Sequence, residues 1–224
     1  MNIERLYIVI PAKDEATRIG GVLRHLQLLN YQNVVVVDDG SADNTGEVAR
    51  SFGATVLRHW VNLGAGAATR TGIEYALSQG AQIIVTLDGD HQHLPDDINA
   101  LVGALIEKKV DVVIGSRFFG NNNDIPLSRQ AYNAVGNFVT YLLTGLWVND
   151  SQSGMKAFRA DFARNAAITR NGFEFCIEII RYIKLLKATW YEAPISVVYT
   201  PDTMSKGQGL WTGLKMMIRL VKII

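Results

Sequence analysis

Between residues 6 and 116, five short apolar runs alternate with four amphipathic stretches, and few folds accommodate such a chain. The runs cover 6–11, 34–38, 55–58, 83–87 and 110–116; the stretches 15–29, 45–52, 65–79 and 95–107 between them read as helices. Strict alternation of strand and helix predicts a mostly parallel sheet with helices on both faces, a three-layer α/β/α architecture. With 224 residues, 48% of them hydrophobic, the chain is expected to bury one full core, with a short appendage at its end.

Two of the runs end in acids. The run 83–87 leads into Asp88-Gly89-Asp90-His91-Gln92-His93, and the run 34–37 into Asp38-Asp39-Gly40-Ser41. In open α/β sheets ligands collect beyond the carboxyl ends of strands, so the two acid-ended strands predict one crevice. Asp88 and Asp90, one small residue apart, are suited to share a hard divalent cation with phosphate oxygens, which points to a metal, a diphosphate and hence a nucleotide. His91 and His93 alternate along a loop with no third ligand in view, which is poor geometry for zinc. Asp38 and Asp39 are suited to accept hydrogen bonds from a base N–H or from ribose hydroxyls, although Asp-Gly-Ser is equally an ordinary turn. Gly64 and its small neighbours in Asn62–Ala68 either bring helix-start amides close to ligand oxygens or serve tight helix packing.

The formal net charge of +1, from 22 basic and 21 acidic residues, gives no global electrostatic case for nucleic acid. A single cysteine, Cys176, has no partner for a disulfide or a zinc knuckle, so a cytosolic or cytosol-facing chain is expected, with the thiol acting as a small buried hydrophobe. The first residues run straight into a strand, so no secretory leader is expected. Residues 131–148 are eighteen without a charge, yet Asn133, Asn137, Thr140 and Thr144 form a polar stripe opposite an apolar side. That pattern predicts an interfacial or packed helix rather than a membrane span. Residues 210–224 carry Lys215, Arg219 and Lys222 along one face of an otherwise apolar helix, suited to anionic headgroups at the cytosolic face of a membrane or to docking on the domain itself.

Taken together, Pro11-Ala12-Lys13-Asp14-Glu15, Asp38-Asp39-Gly40-Ser41, Asn62 to Ala68, Asp88 to His93 and Gly115-Ser116-Arg117-Phe118 resemble family 2 glycosyltransferases of the GT-A fold. The nearest resemblance is to the dolichol-phosphate mannosyltransferase type, which moves a sugar from a nucleotide donor to a polyprenyl phosphate, and it extends over about residues 6–206. The resemblance implies a catalytic domain over residues 1–209 and a peripheral, cytosol-facing membrane location. Asp88, Asp90 and Gln92 would hold magnesium or manganese. Pro11, Ala12, Glu15, Asp38, Asp39, Gly64, Asp88, Gly89 and Lys206 would meet the donor. Glu15 has a second reading, that of charging the first turn of the helix that follows it. Asp90, Arg117 and Arg129 would carry the transfer, the two arginines holding the lipid phosphate, and each arginine is alternatively a salt-bridge partner.

Asp150, Gln152 and Glu174, in segments resembling the family's Asp-x-x-Ser-Gly and Gly-aromatic-x-Phe, would border the sugar and acceptor. Glu178, four residues from Glu174, calls for a cation such as Arg181 on one of the pair. Lys206 would act as a lid over the diphosphate, although Thr200-Pro201-Asp202 stands where many members have an arginine. The family's Glu-Asp base dipeptide is missing, as suits an acceptor phosphate that is already an anion, and the mechanism implied is a single inverting displacement. Two other readings are a family member acting on a hydroxyl acceptor and a non-catalytic nucleotide-sugar binding subunit. Neither Gly-x-Gly-x-x-Gly after the first strand nor a Gly-Lys-Ser/Thr phosphate loop is present.

Overall fold

A computed structural model describes residues 5–119 and 125–198, so the expected helix at 210–224 and the Lys206 lid lie outside the described residues. The first half alternates as the sequence predicts: β1 (Leu6–Ala12), α1 (Ala16–Leu28), β2 (Val34–Asp38), α2 (Thr45–Ser51), β3 (Thr55–Arg58), α3 (Ala65–Ser78), β4 (Ile83–Thr86), α4 (Asp97–Glu107) and β5 (Val112–Ser116). The second half adds α5 (Leu127–Thr144), β6 (Lys156–Arg159), α6 (Ala160–Asn165), α7 (Phe175–Leu185) and β7 (Trp190–Pro194).

The seven strands form one sheet in the order β3-β2-β1-β4-β6-β5-β7. Side chains alternate across it with the period of two that a pleated strand imposes. Ile8 and Ile10 of β1 and Val85 of β4 join α1, α2 and α4 in one core layer, through Leu23, Leu26, Ala49 and Leu101. Val9 and Ile84 point to the opposite face, where α3, α6 and α7 supply Ile73, Phe162 and Ile180. The three-layer α/β/α architecture is therefore in place, with every pairing among the first four strands parallel.

β6 breaks the parallel pattern, and the sequence reading passed over it. It lies antiparallel between β4 and β5, with Lys156 opposite both Thr86 and Ile114. Reversal of direction carries the turn just before β6, residues 150–155, to the same rim at which the parallel strands end. β1 lies between the two acid-ended strands, and the order reverses between β1 and β4, a topological switch point.

α5 begins directly after Pro126, four residues before the uncharged stretch, and stops at Gly145 in the left-handed conformation (φ 70°). Its polar stripe faces inward: Asn133, Asn137, Thr140 and Thr144 are buried. Asn137 donates to the Asn149 carbonyl at 2.6 Å and accepts from the Ser151 amide and hydroxyl at 3.0 and 2.8 Å. Leu127, Val135, Phe138, Tyr141, Leu142 and the nearby Trp147 are exposed. No helix among the described residues is long and apolar enough to cross a membrane.

Gly72 of α3 lies hard against the sheet, since a Cβ there would stand 2.3 Å from Val9 Cγ1 and 3.2 Å from Val37 Cγ2. Gly72→Ala should therefore overpack a rigid layer and lower unfolding free energy by about 1–3 kcal/mol, read as a fall in the thermal midpoint.

Candidate active site

The carboxyl ends of β1, β2 and β4 open into a crevice of about 370 Å³. Pro11, Ala12 and Lys13 form its floor, Asp88, Gly89 and Asp90 one wall, Asp39 and Asn62 the other, and Gly64, Ala65, Gly172 and Phe173 the far end. The single crevice expected from two acid-ended strands is thus present, with β1 between them.

Asp88 lines the β4 side of this crevice, with 38% of its side chain exposed. Burial alone would raise its carboxyl, but the hydrogen bond and charge of His93 and the charges of Lys156 and Arg117 outweigh that and hold it below the ordinary value. Nε2 of the buried His93 stands 3.5 Å from Asp88 Oδ2, whereas exposed His91 turns its ring toward Gly21 of α1. The two histidines diverge, one more reason against a shared zinc. Gly154, in the turn before β6, leaves no room at Asp88, since a Cβ there would fall 2.1 Å from Asp88 Oδ2. Asp90 is pushed up to about 6, first by burial and then by the neighbouring Asp88 charge, against the opposing hydrogen bond from the Gln92 amide. Two carboxylates of which one resists ionisation form a place where a divalent cation is favoured, because it neutralises both. Asp88 and Asp90 are the residues able to hold it, and Gln92 stands beside them, its amide 3.0 Å from Asp90 Oδ1.

On the opposite wall Asp39 is buried and held at 2.9 and 2.7 Å by the amides of Leu63 and Gly64. Gly64 takes φ 103° and passes so close to Asn171 that a Cβ would lie 2.3 Å from its carbonyl oxygen. The first amides of α3 do not await a ligand. Gly66 and Ala67 donate to that Asn171 carbonyl at 2.8 and 3.3 Å, so the small residues here serve packing of α3 against the 170–172 loop.

One expectation, that for Asp38, is corrected, and the other expected residues divide between the crevice and its surroundings. Asp38 is fully buried and absent from the crevice lining; it accepts from the Ser41 amide at 2.9 Å and faces Arg58 at 3.6 Å, bracing the turn beneath the site. Glu15, at the N-cap of α1, lines the crevice and also pairs with Arg18 at 2.5 Å. Asp150 is fully buried under Arg117, whose Nε and Nη2 meet its carboxylate at 2.7 and 2.6 Å. Gln152 turns toward Gly136 of α5, and Glu174 folds back over Gly172. None of Asp150, Gln152 and Glu174 lines the crevice. Glu178 is satisfied by neutral donors, Thr169 through amide and hydroxyl and Arg170 through its amide, rather than by Arg181. Arg129 sits in the first turn of α5, outside the crevice lining.

Sequence reasoning missed Lys156. Its long side chain is fully buried, its ammonium donates to the Ser153 carbonyl, and its charge acts on both Asp88 and Cys176. Burial pushes the Cys176 thiol up, which suits the inert role expected of it. A lysine between Met155 and Ala157-Phe158 was the available signal, a cation set in an apolar run.

The sequence from residue 7 to residue 166 matches the family described as "Glycosyl transferase family 2". The chain belongs to that family. It is 33% identical to a UDP-N-acetylglucosamine–dolichyl-phosphate N-acetylglucosaminyltransferase of Methanococcus voltae, over 97% of this chain and 95% of the other. It is 30% identical to an undecaprenyl-phosphate mannosyltransferase of Micrococcus luteus, over 92% of this chain and 88% of that one. A solved glucosyl-3-phosphoglycerate synthase of Mycobacterium tuberculosis shares the fold with a TM-score of 0.70 at 19% identity, covering 96% of this chain and 77% of its own. This glycosyltransferase thus has the GT-A architecture that the sequence resemblance implied.

The raised Asp90 carboxyl has a consequence for stability. Its folded value of about 6 stands above the ordinary 3.8, so ionisation disfavours the fold above pH 6 and the penalty vanishes once both states are protonated. Asp90→Asn should stabilise the metal-free protein at pH 8 by about 1–2 kcal/mol, a gain that fades as pH falls from 6 to below 4 in chemical unfolding.

Proposed function

We propose that this family 2 glycosyltransferase passes a sugar from a nucleotide sugar to a polyprenyl phosphate at the cytosolic surface of a membrane, by a metal-dependent inverting displacement. The observation that carries the lipid acceptor is the inverted helix α5, which spends its polar stripe inward and presents Phe138, Tyr141 and Leu142 outward. Such a face is stable beside acyl chains and costly in water. The names of the Methanococcus voltae and Micrococcus luteus relatives, both transferases onto polyprenyl-type phosphates, support the same reading.

In this reading the crevice holds the donor, with Asp39 toward the nucleoside and Asp88 and Asp90 toward the diphosphate. Asp88 and Asp90, with Gln92 beside them, would hold magnesium or manganese, which would supply positive charge against that appearing on the leaving diphosphate. The titles of solved glucosyl-3-phosphoglycerate synthase structures describe complexes with UDP and Mn2+ or Mg2+, which supports this choice of cation. Asp88, drawn down by His93 and Lys156, is ionised and ready at neutral pH. Asp90 would have to lose its proton to hold the cation, so apparent metal affinity should fall as pH drops through about 6.

Arg117, fixed by Asp150 at the end of β5, and Arg129, in the first turn of α5, are assigned to the acceptor phosphate, and Lys206 to the donor diphosphate. The acceptor oxygen is already anionic, so its attack on the anomeric carbon needs alignment and charge screening. The second reading within the family, a soluble or polymeric hydroxyl acceptor, would leave the outward face of α5 without a role.

Radiolabelled sugar supplied as a panel of nucleotide sugars, with a polyprenyl phosphate and Mn2+, should enter the organic phase; label confined to water-soluble product would transfer the assignment to a hydroxyl acceptor. Gly154→Ala, by driving the Asp88 carboxylate aside, should reduce that transfer by about 100-fold or more, with Mn2+ affinity falling in parallel in a direct titration. Flotation with anionic vesicles should carry the wild-type protein upward, and Phe138→Glu with Leu142→Glu should leave it at the bottom with its thermal midpoint within a few degrees of wild type.

A further inference from the structure

We propose that His59 is a positioning residue that saturates one oxygen of Asp39 and so selects a uridine over a guanosine nucleotide. The proposal rests on the reading of the crevice as a nucleotide-sugar site and goes beyond it by naming the base and the residue that chooses it. His59 follows β3, and its amide donates to the Asp38 carbonyl at 2.9 Å, which places the imidazole behind the next residue, Asp39. Its Nδ1 lies 2.7 Å from Asp39 Oδ1 and its Nε2 lies 3.0 Å from the Thr71 hydroxyl of α3, so the ring is pinned from both sides with 11% of the side chain exposed. Nδ1–H donates to the carboxylate, which has no proton of its own to give, and Nε2 shares a hydrogen bond with the hydroxyl.

The consequence follows from counting lone pairs. A carboxylate offers about four acceptor directions, two on each oxygen. Oδ1 accepts from His59 at 2.7 Å and from the Leu63 amide at 2.9 Å and is full, whereas Oδ2 accepts from the Gly64 amide at 2.7 Å and keeps one direction. Asp39 lines the crevice, so this single acceptor is what it presents to a base. Uracil carries one ring N–H, at N3, and one acceptor satisfies it. Guanine carries two adjacent donors on one edge, N1–H and the N2 amino group, and these match a carboxylate with both oxygens open. Against Asp39 as His59 holds it, one guanine donor would be left unpaired in a narrow, partly buried cleft, a mismatch that sites built for hydrogen bonding reject strongly.

The test is a titration of UDP, GDP and inorganic pyrophosphate, each with Mn2+, into the wild-type protein, His59→Asn, His59→Leu and Thr71→Val. Asn places an amide N–H near the position of Nδ1 and should rescue the contact; Leu removes it. Wild type should prefer UDP to GDP by about tenfold or more. His59→Asn should keep that ratio within about twofold, His59→Leu should bring it to within about threefold of unity, and Thr71→Val should fall between them, while pyrophosphate binds all four alike. In turnover, the change in His59→Leu should appear in KM for the uridine donor and leave kcat within about threefold.

A wild-type preference for GDP, or a preference for UDP that His59→Leu leaves intact, overturns the role of His59 while the nucleotide reading stands. Loss of pyrophosphate binding in His59→Leu reduces the residue to a structural part and equally overturns it. Wild-type protein that binds pyrophosphate but neither nucleotide overturns the nucleotide reading itself, and the proposal with it.

Discussion

The antiparallel course of β6 is the constraint on which the rest of the site depends. A parallel strand between β4 and β5 would have begun at the far edge of the sheet and left the rim bare. Running the other way, β6 starts at the rim, and its preceding turn supplies Asp150, Ser153 and Gly154 to the carboxyl ends of its neighbours. Thr86 Oγ1 fastens that turn through the Gly154 carbonyl at 2.7 Å, at the last residue of β4, two positions before Asp88. Backbone of one strand therefore sets the position of the carboxylate that follows another. It also explains the glycine, because the two chains approach too closely for any side chain.

Charge balance at this rim is built in layers. Asp88, Asp90 and Asp150 bring three carboxylates into one small region, and the protein answers with Lys156 below, His93 beside and Arg117 across from them. Burying an ammonium such as that of Lys156 is expensive without compensating partners, and here the Ser153 carbonyl and the nearby carboxylates supply them. The balance is uneven: Asp88 gains more support than Asp90, which is why two acids a single residue apart differ in their readiness to ionise. That asymmetry separates an acid that is always prepared from one that responds to what binds.

Local patterns made the first half legible. Strands such as Val34–Asp38 are continuous apolar runs because helices cover both of their faces, and their ends coincide with acids or turns. The crevice residues Asp39, Asp88 and Asp90 were visible for the same reason, since they closely follow β2 or β4 and strand ends are marked in the sequence. β6 was not visible, being four residues long with a buried lysine at its start that mimics a surface position. Asp38 misled because its neighbour Asp39 has the same chemistry, and only the alternation of side chains at a strand end decides which of the two faces the crevice. Arg117 and Asp150 lie 33 residues apart, and the pairing that joins them exists only once β6 has reversed.

The inward polar stripe of α5 separates two properties that most amphipathic helices tie together. Its attachment to the domain includes directional bonds, Asn137 donating to the Asn149 carbonyl and accepting from Ser151. The outward positions thus contribute little to folding and are open to change without loss of the fold. In the proposed membrane reading, surface adhesion is an independent variable: substitution along one side of a single helix would adjust where the catalyst resides while leaving the crevice and its chemistry unchanged.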